Sequence, residues 1–350
     1  MEKILTVVIP TYNGEKYVER AVHSILGQPA GSSLKVLLVN DGSTDSSGAI
    51  CDELAHGHEN VSVIHKPNGG VSSARNMGID RVTTKYVAFL DCDDWWNEGF
   101  FNEELLVELS SEASCDIYQF SFQQVDASCR MKCVHPVQEG LLRYEENGLG
   151  RYDWAHHCSF MMRTALLHEN GIRYPVCKIV EDGPFVEMAL YCARSVRRIN
   201  RIIFSYWQNQ DSVSHNAYVM DAILEEHKGA LQRKEFFKAW GVKVDVESEL
   251  VWSVANNLPK LCAAYGFQEL CSFMDVNCLA ILARRPDIRF GEKMWGRLEA
   301  YRRNPRLCWM KYRIVPGIPL AMLSAAKRMP RVYRMVDDVL NRVRRGYTSL

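Results

Sequence analysis

The chain has 350 residues, with 42 basic against 42 acidic side chains and 47% hydrophobic residues. That length buries a full core and predicts one large domain plus an appended region. No stretch of 18 apolar residues occurs, so no bilayer-spanning helix is expected; the longest candidate, 314–326, is broken by Pro316, Gly317 and Pro319. The neutral total hides an asymmetry. Residues 301–350 hold twelve Lys/Arg against Asp337 and Asp338, a net +10, so residues 1–300 carry −10. A basic tail on an acidic body predicts an anionic surface as partner. Met1–Leu5 runs directly into a strand-like segment, so no secretory leader is expected. The twelve cysteines are scattered, without a Cys-x-x-Cys pair, and read as reduced cytosolic thiols. Cys129, Cys133 and His135, with His156, His157 and Cys158 further on, are zinc candidates, but their spacing matches no known ligand pattern.

The first hundred residues alternate strand and helix. Leu5–Ile9 is a β-branched apolar run stopped by Pro10, and Tyr17, Val18, Ala21, Val22, Ile25 and Leu26 then recur at helical spacing. Val36–Val39 is a second buried strand, followed by an Asn40-Asp41-Gly42-Ser43 turn and a helix that Thr44 or Asp45 is placed to cap. Val61–Ile64 is a third strand, Asn68-Gly69-Gly70 a break, 71–82 a helix, and Tyr86–Leu90 a fourth strand. Near-continuous apolar strands between helices predict a parallel sheet covered on both faces. Asp116–Val125 alternates with period two, which predicts antiparallel additions to the sheet. From Asp221 onward the pattern is almost wholly helical. Val332, Met335, Val336, Val339, Leu340 and Val343 form one apolar stripe among arginines.

The fourth strand empties into Asp91-Cys92-Asp93-Asp94-Trp95-Trp96, three carboxylates within four positions. Charges that close repel unless a cation or solvent relieves them. A hard divalent cation prefers oxygen ligands, and Mg²⁺ usually takes one or two carboxylates plus substrate phosphates. Strand ends are also where open α/β sheets bind ligands.

Four motifs now stand in order: Val7-Val8-Ile9-Pro10-Thr11-Tyr12-Asn13, Val39-Asn40-Asp41-Gly42-Ser43-Thr44-Asp45, Asn68-Gly69-Gly70-Val71-Ser72-Ser73-Ala74-Arg75-Asn76-Met77-Gly78, and the aspartate cluster. Together they resemble the nucleotide-sugar half of a family-2 glycosyltransferase, over about residues 3–215. The resemblance implies a GT-A fold: a Rossmann-like mixed α/β sheet with helices on both faces. The expected division is a catalytic domain at 1–215 and a helical region with a basic amphipathic tail at 216–350.

The resemblance also assigns roles. Pro10, Thr11, Tyr12, Asn13, Asp41, Gly70, Arg75, Asp91 and Asp93 would bind the donor, with Tyr12 packing on the base and Asp41 accepting from the uracil N–H. Gly69 and Gly70 permit close approach of a diphosphate to a helix N-terminus. Arg75, one turn into that helix, has an ion pair as its plainer role. Asp93 is the candidate ligand for Mg²⁺ or Mn²⁺, and Asp91 contacts the ribose or a water on the metal. Asp94 caps or bonds locally. Trp95 and Trp96 are core aromatics or a sugar platform. Val180-Glu181-Asp182-Gly183-Pro184-Phe185 is similar to the family's Glu-Asp-x-x-Phe signature, which makes Asp182 the candidate catalytic base and Glu181 an acceptor-orienting residue. Tyr206-Trp207-Gln208-Asn209-Gln210-Asp211-Ser212-Val213-Ser214 is similar to a closing segment in which the family has arginine at the second position; here it is Trp207. That departure weakens the case for a diphosphate-neutralising cation from this segment, though Tyr206 and Gln208 stay candidate contacts.

The implied reaction is inverting transfer from a nucleotide-diphosphate sugar, UDP before dTDP or GDP, to a hydroxyl of a saccharide or lipid-linked surface polysaccharide. A sugar nucleotidyltransferase would carry a basic Gly-rich loop after the first strand, where this chain has Pro10–Glu15. A dinucleotide oxidoreductase lacks its Gly-x-Gly-x-x-Gly here. A non-catalytic nucleotide-sugar-binding protein is the remaining alternative, and Asp41, Asp91, Asp93 and Asp182 together argue against it. The tail either lies on an anionic membrane or packs on the catalytic domain, and it matches no nucleic-acid reader. The expected location is cytoplasmic, peripheral to the inner membrane face if the tail binds lipid.

Overall fold

The computed structural model describes residues 3–143, 156–208 and 219–314. These form two compact units, one from Met1–Asn216 with Lys228–Val242, the other from Ala217–His227 with Lys243–Leu350.

The first unit is built on a ten-stranded mixed sheet. Its first part reads β3 (Val61–His65), β2 (Leu34–Asn40), β1 (Leu5–Thr11), β4 (Tyr86–Phe89), all parallel. Every residue of β1 and β4 is buried, because α1 (Val18–Leu26), α2 (Ser47–Gly57) and α3 (Val71–Arg81) flank the sheet. The continuous apolar runs follow from that double cover. α1 turns Val18, Ala21, Val22 and Ile25 inward, the helical spacing expected of them. α3 comes so near β1 that a Cβ at Gly78 would lie 2.4 Å from Val8 Cγ1, so glycine sets that helix–sheet distance.

Beyond β4 the sheet changes direction. β9 (Phe160–Arg163) pairs antiparallel with β4 and with β6 (Ile117–Val125). β7 (Met131–His135) adds antiparallel to β6, and β10 (Ser195–Trp207) takes β5 (Trp95–Trp96) and β8 (Gly140–Arg143) antiparallel. The expected antiparallel additions are present, but β6 runs parallel to β10. Nor does its polar alternation mark a wet face. Gln119 and Ser121 are buried, and their polar atoms are satisfied by β10: Arg198 Nε donates to Gln119 Oε1 at 2.9 Å, and Ser121 Oγ to Asn200 Oδ1 at 2.7 Å. Buried polar groups are tolerated where paired in this way. α4 (Glu103–Ser110), α5 (Thr164–Glu169) and α6 (Asp182–Cys192) complete the flanks, α4 capped by Asn102 accepting from Leu105 N at 3.0 Å.

The second unit contains the start of α7 (Val219–Lys238), α8 (Val246–Ala264), α9 (Phe267–Met274), α10 (Ala280–Arg284), α11 (Glu292–Arg303) and α12 (Pro305–Ile314). Val251, Val254, Leu258 and Leu261 of α8 pack with Leu298, Tyr301 and Trp309. Full burial of each such aliphatic side chain is worth about 1.5–3 kcal/mol. Among the described residues no helix is long and apolar enough to cross a membrane. The basic stripe at 332–343 and the segment 209–214 lie outside the described residues.

Candidate active site

Because β1, β2 and β4 are parallel and in register, Thr11 beside Asn40 and Val8 beside Phe89, their following loops leave the same edge of the sheet. Pro10 and Thr11 are buried as the last residues of β1, while Tyr12 is 51% exposed. Asn13 adopts φ 49° and ties two loops together, its Oδ1 accepting from Thr44 N at 2.8 Å. The helix after β2 begins at Ser47 with Ser46 at its N-cap, so neither Thr44 nor Asp45 is the cap; Asp45 stands one residue further out, its Oδ1 accepting from the Ser47 amide at 3.0 Å.

Asp41 is buried beneath the Asn68–Gly70 loop. Its carboxylate accepts from Gly69 N at 2.9 Å, Gly70 N at 2.8 Å and Lys66 Nζ. A carboxylate offers about four acceptor positions. Among the described residues three are taken, two on Oδ1 and one on Oδ2. Gly70, at φ 84° immediately before α3, supplies the left-handed turn that aims these amides. Lys66 went unnoticed in the sequence because no spacing marks a lone lysine at a strand end.

Arg75 is 3% exposed in its side chain and points inward. Its Nη2 donates to Asp91 Oδ1 at 2.6 Å and its Nη1 to Glu181 Oε1, with the Tyr174 ring 5.1 Å from its guanidinium carbon. The ion pair is therefore its observed contact. Asp91 Oδ2 lies 3.7 Å from His157 Nε2, and His157 Nδ1 is 3.0 Å from Tyr174 Oη. Burial would push the Asp91 carboxyl up, but Arg75 and then His157 outweigh it and hold the group well below the usual carboxylate range. The three crowded carboxylates thus part company. Asp91 is neutralised by Arg75. Asp94 is buried and accepts not locally but from Trp207 N, 113 residues on, at 2.8 Å; burial, with Asp93 and Asp91 beside it, raises its carboxyl well above the ordinary value. Asp93 is half-buried, no salt bridge reaches it among the described residues, and burial followed by the Asp91 charge pushes it up to about 6. A half-buried carboxylate whose neighbouring cation, Arg20, does not outweigh burial and Asp91 is a donor of the hard oxygen type that suits a divalent cation. Trp96 is core, 2% exposed, whereas Trp95 is only half-buried, with the Arg20 guanidinium over its ring.

α6 begins at the other side of Arg75. Glu181 is buried against that guanidinium, and Asp182, half-buried, accepts no hydrogen bond from a described residue. His156 stacks on His157 at 4.9 Å between ring centres and lies 5.2 Å from the Tyr206 ring. Burial and the neighbouring His157 push it down to about 4, against the opposing charges of Asp91 and Asp182, so it is neutral near pH 7. His156, His157 and Cys158 bring their ligand atoms within 4.8 Å of one another, a set able to hold a metal ion. Cys129, Cys133 and His135 do not belong to that set. Gln208 is engaged by Lys132 Nζ at 2.8 Å.

Loops that carry Asp41 and Asp91–Asp94 off one edge of the sheet, with the acidic pair Glu181 and Asp182 opening a later helix, are the arrangement of a GT-A type fold. Residues 6–167 match the family model for Glycosyl transferase family 2. That region, a little under half of the chain, is similar to the family-2 glycosyltransferases. It is 29% identical over 280 residues to an uncharacterized glycosyltransferase, EpsJ, of Bacillus subtilis, covering 75% of this chain and 78% of EpsJ. Identity is 43% over 213 residues to the B. subtilis minor teichoic acid biosynthesis protein GgaB, but the match spans 60% of this chain and only 23% of GgaB. With YibD of Escherichia coli it is 36% over 219 residues, 60% of this chain and 63% of YibD. Among solved structures, Staphylococcus aureus TarS 1–349 in complex with UDP superposes with TM-score 0.56 at 18% identity, over 87% of this chain and 92% of that one. The family match ends before Glu181 and Asp182, whose placement rests on the contacts above.

Proposed function

We propose that this enzyme transfers a sugar from a UDP-sugar to a hydroxyl of a saccharide or lipid-linked saccharide in surface-polymer assembly. The observation that carries the reading is Arg75, bonded at once to Asp91 of the aspartate turn and to Glu181 at the start of α6. One buried cation therefore joins the donor-side aspartates to the segment that presents Asp182.

In this reading Asp182 takes the proton of the acceptor hydroxyl as that oxygen attacks the anomeric carbon and the bond to the diphosphate breaks. Its carboxylate is free to do so, having no hydrogen-bond donor among the described residues, and a single displacement with one base inverts the centre. Asp93 would hold Mg²⁺ or Mn²⁺, which when bound supplies Lewis-acid stabilisation of the leaving diphosphate. Asp41 reads the base through its remaining acceptor position, Gly69 and Gly70 lie beside the phosphates, and Tyr12, exposed at the rim, covers the base. Glu181, engaged by Arg75, fixes the start of α6. Residues 1–215 act as the catalytic domain, with residues 216–350 holding the enzyme near its acceptor through a basic tail at the membrane surface. A TarS structure in complex with UDP-GlcNAc on the same fold, TM-score 0.54 at 22% identity, supports a uridine nucleotide. The names of GgaB and of the B. subtilis protein TuaG, a putative teichuronic acid biosynthesis glycosyltransferase, support a surface-polymer acceptor.

Calorimetric titration of UDP, dTDP and GDP in the presence of Mn²⁺ tests the donor. UDP is expected to bind at least tenfold tighter, about 1.4 kcal/mol; equal or reversed affinities would contradict the assignment of Asp41.

A further inference from the structure

A guanidinium in contact with two indole rings lies against the aspartate turn. Arg20, on α1, has its Cζ 4.1 Å from the ring centre of Trp95 and 5.2 Å from that of Trp207. Its Nη2 donates to the Asp93 carbonyl oxygen at 2.5 Å, and its Nε is buried without a partner. Among the described residues Arg20 makes no salt bridge, so its charge is not cancelled by one carboxylate. Trp207 completes the arrangement. Its ring meets Tyr17 of the segment before α1 edge-on at 5.2 Å, and its backbone N–H is the donor to Asp94 Oδ1. Three separate pieces of chain, the start of α1, the aspartate turn and the end of β10, meet around one cation. Arginine suits the place better than lysine, since a planar guanidinium can pack on indole rings while an edge N–H holds a carbonyl.

We propose that Arg20 is a positioning residue for the donor site: by fixing the Asp93 carbonyl between Trp95 and Trp207 it aims the Asp93 carboxylate and keeps a positive charge behind the turn. Trp207, which packs on the guanidinium and brings no charge of its own, is the lid of this clamp. The inference rests on the reading of Asp93 as the carboxylate that holds the donor's divalent cation. Groups outside the ligand set that orient a metal ligand commonly change metal affinity about 10–100-fold when removed. A loss confined to the cation-dependent part of nucleotide binding is therefore the signature of Arg20.

The test is titration of UDP into the full chain, wild type, Arg20→Met and Arg20→Lys, each with Mn²⁺ and with EDTA, alongside thermal unfolding of each. Mn²⁺ should tighten UDP binding in the wild type, and Arg20→Met should lose about tenfold or more of that gain while binding UDP in EDTA as the wild type does. Arg20→Lys, which keeps the charge without the planar stack, should recover part of the gain. An unchanged Mn²⁺ effect in Arg20→Met would overturn the proposal. So would an equal loss in Mn²⁺ and EDTA, which marks general damage to the fold. Should Arg20→Met not fold, Arg20→Lys decides alone, a full Mn²⁺ effect there overturning the stacking clamp. Absence of any Mn²⁺ effect in the wild type would instead refute the reading of Asp93 on which the inference stands.

Discussion

Arg75 lies 2.6 Å from Asp91 while its second terminal nitrogen bonds Glu181, 106 residues further along the chain. Two halves of the candidate site that are far apart in sequence therefore share one buried cation. Removing one partner of a buried ion pair is costly, because the desolvated charges left behind have no counter-ion. Arg75→Met is expected to lose about 3–5 kcal/mol of stability. The check is chemical denaturation of the variant beside the wild type. A change under about 0.5 kcal/mol would mean the network is not formed in solution.

Asp182 stands apart from that network, so its removal should spare the fold. Asp182→Asn is expected to lower kcat by about 10²–10⁴-fold with nucleotide affinity unchanged. Steady-state turnover with any accepted sugar, set beside UDP affinity, measures both. Full activity in the variant would remove Asp182 from the chemistry.

Asp41 binds the backbone of the loop it faces. Asp41→Ala leaves the Gly69 and Gly70 amides without their acceptor, at about 1–3 kcal/mol. Amide hydrogen exchange across 66–72 is expected to quicken and UDP affinity to fall. Unaltered exchange there would show the loop to be held by something else.

The helical unit offers a pH dependence. The Arg285 hydrogen bonds lower the Asp245 carboxyl to about 2, and its Oδ1 accepts from the Ser248 amide at 3.2 Å to cap α8. A carboxyl depressed in the folded state contributes stability fully present above its unfolded value near 3.9 and lost as pH falls towards 2. Asp245→Asn should make the thermal midpoint of this unit less sensitive between pH 5 and pH 2.5. An identical pH profile for both proteins would contradict the pairing.

Much of the first unit was legible because its signals are local. Apolar runs ending in Pro10, Asp41 and Asp91 mark strands whose loops share one sheet edge, and the ordered motifs identified the fold. What stayed hidden depended on distant partners. Lys66 and Arg20 have no motif, and nothing in the sequence says that Asp94 bonds Trp207 or that Arg75 turns inward to Glu181. The alternation of β6 did not show that Gln119 and Ser121 would be buried with partners on β10, some 80 residues away. Trp207 read only as a missing arginine, since its stacking on Arg20 requires the folded α1.

The central claim is tested most directly by release of free UDP from a panel of UDP-sugars, which needs no knowledge of the acceptor. Reactions would contain Mn²⁺, Mg²⁺ or EDTA, with wild type, Asp93→Ala and Asp182→Asn. The account predicts slow, metal-dependent release from one sugar, abolished by EDTA and in Asp93→Ala. Release that persists in EDTA and in Asp93→Ala, or no release from any UDP-sugar together with no UDP binding, would contradict it.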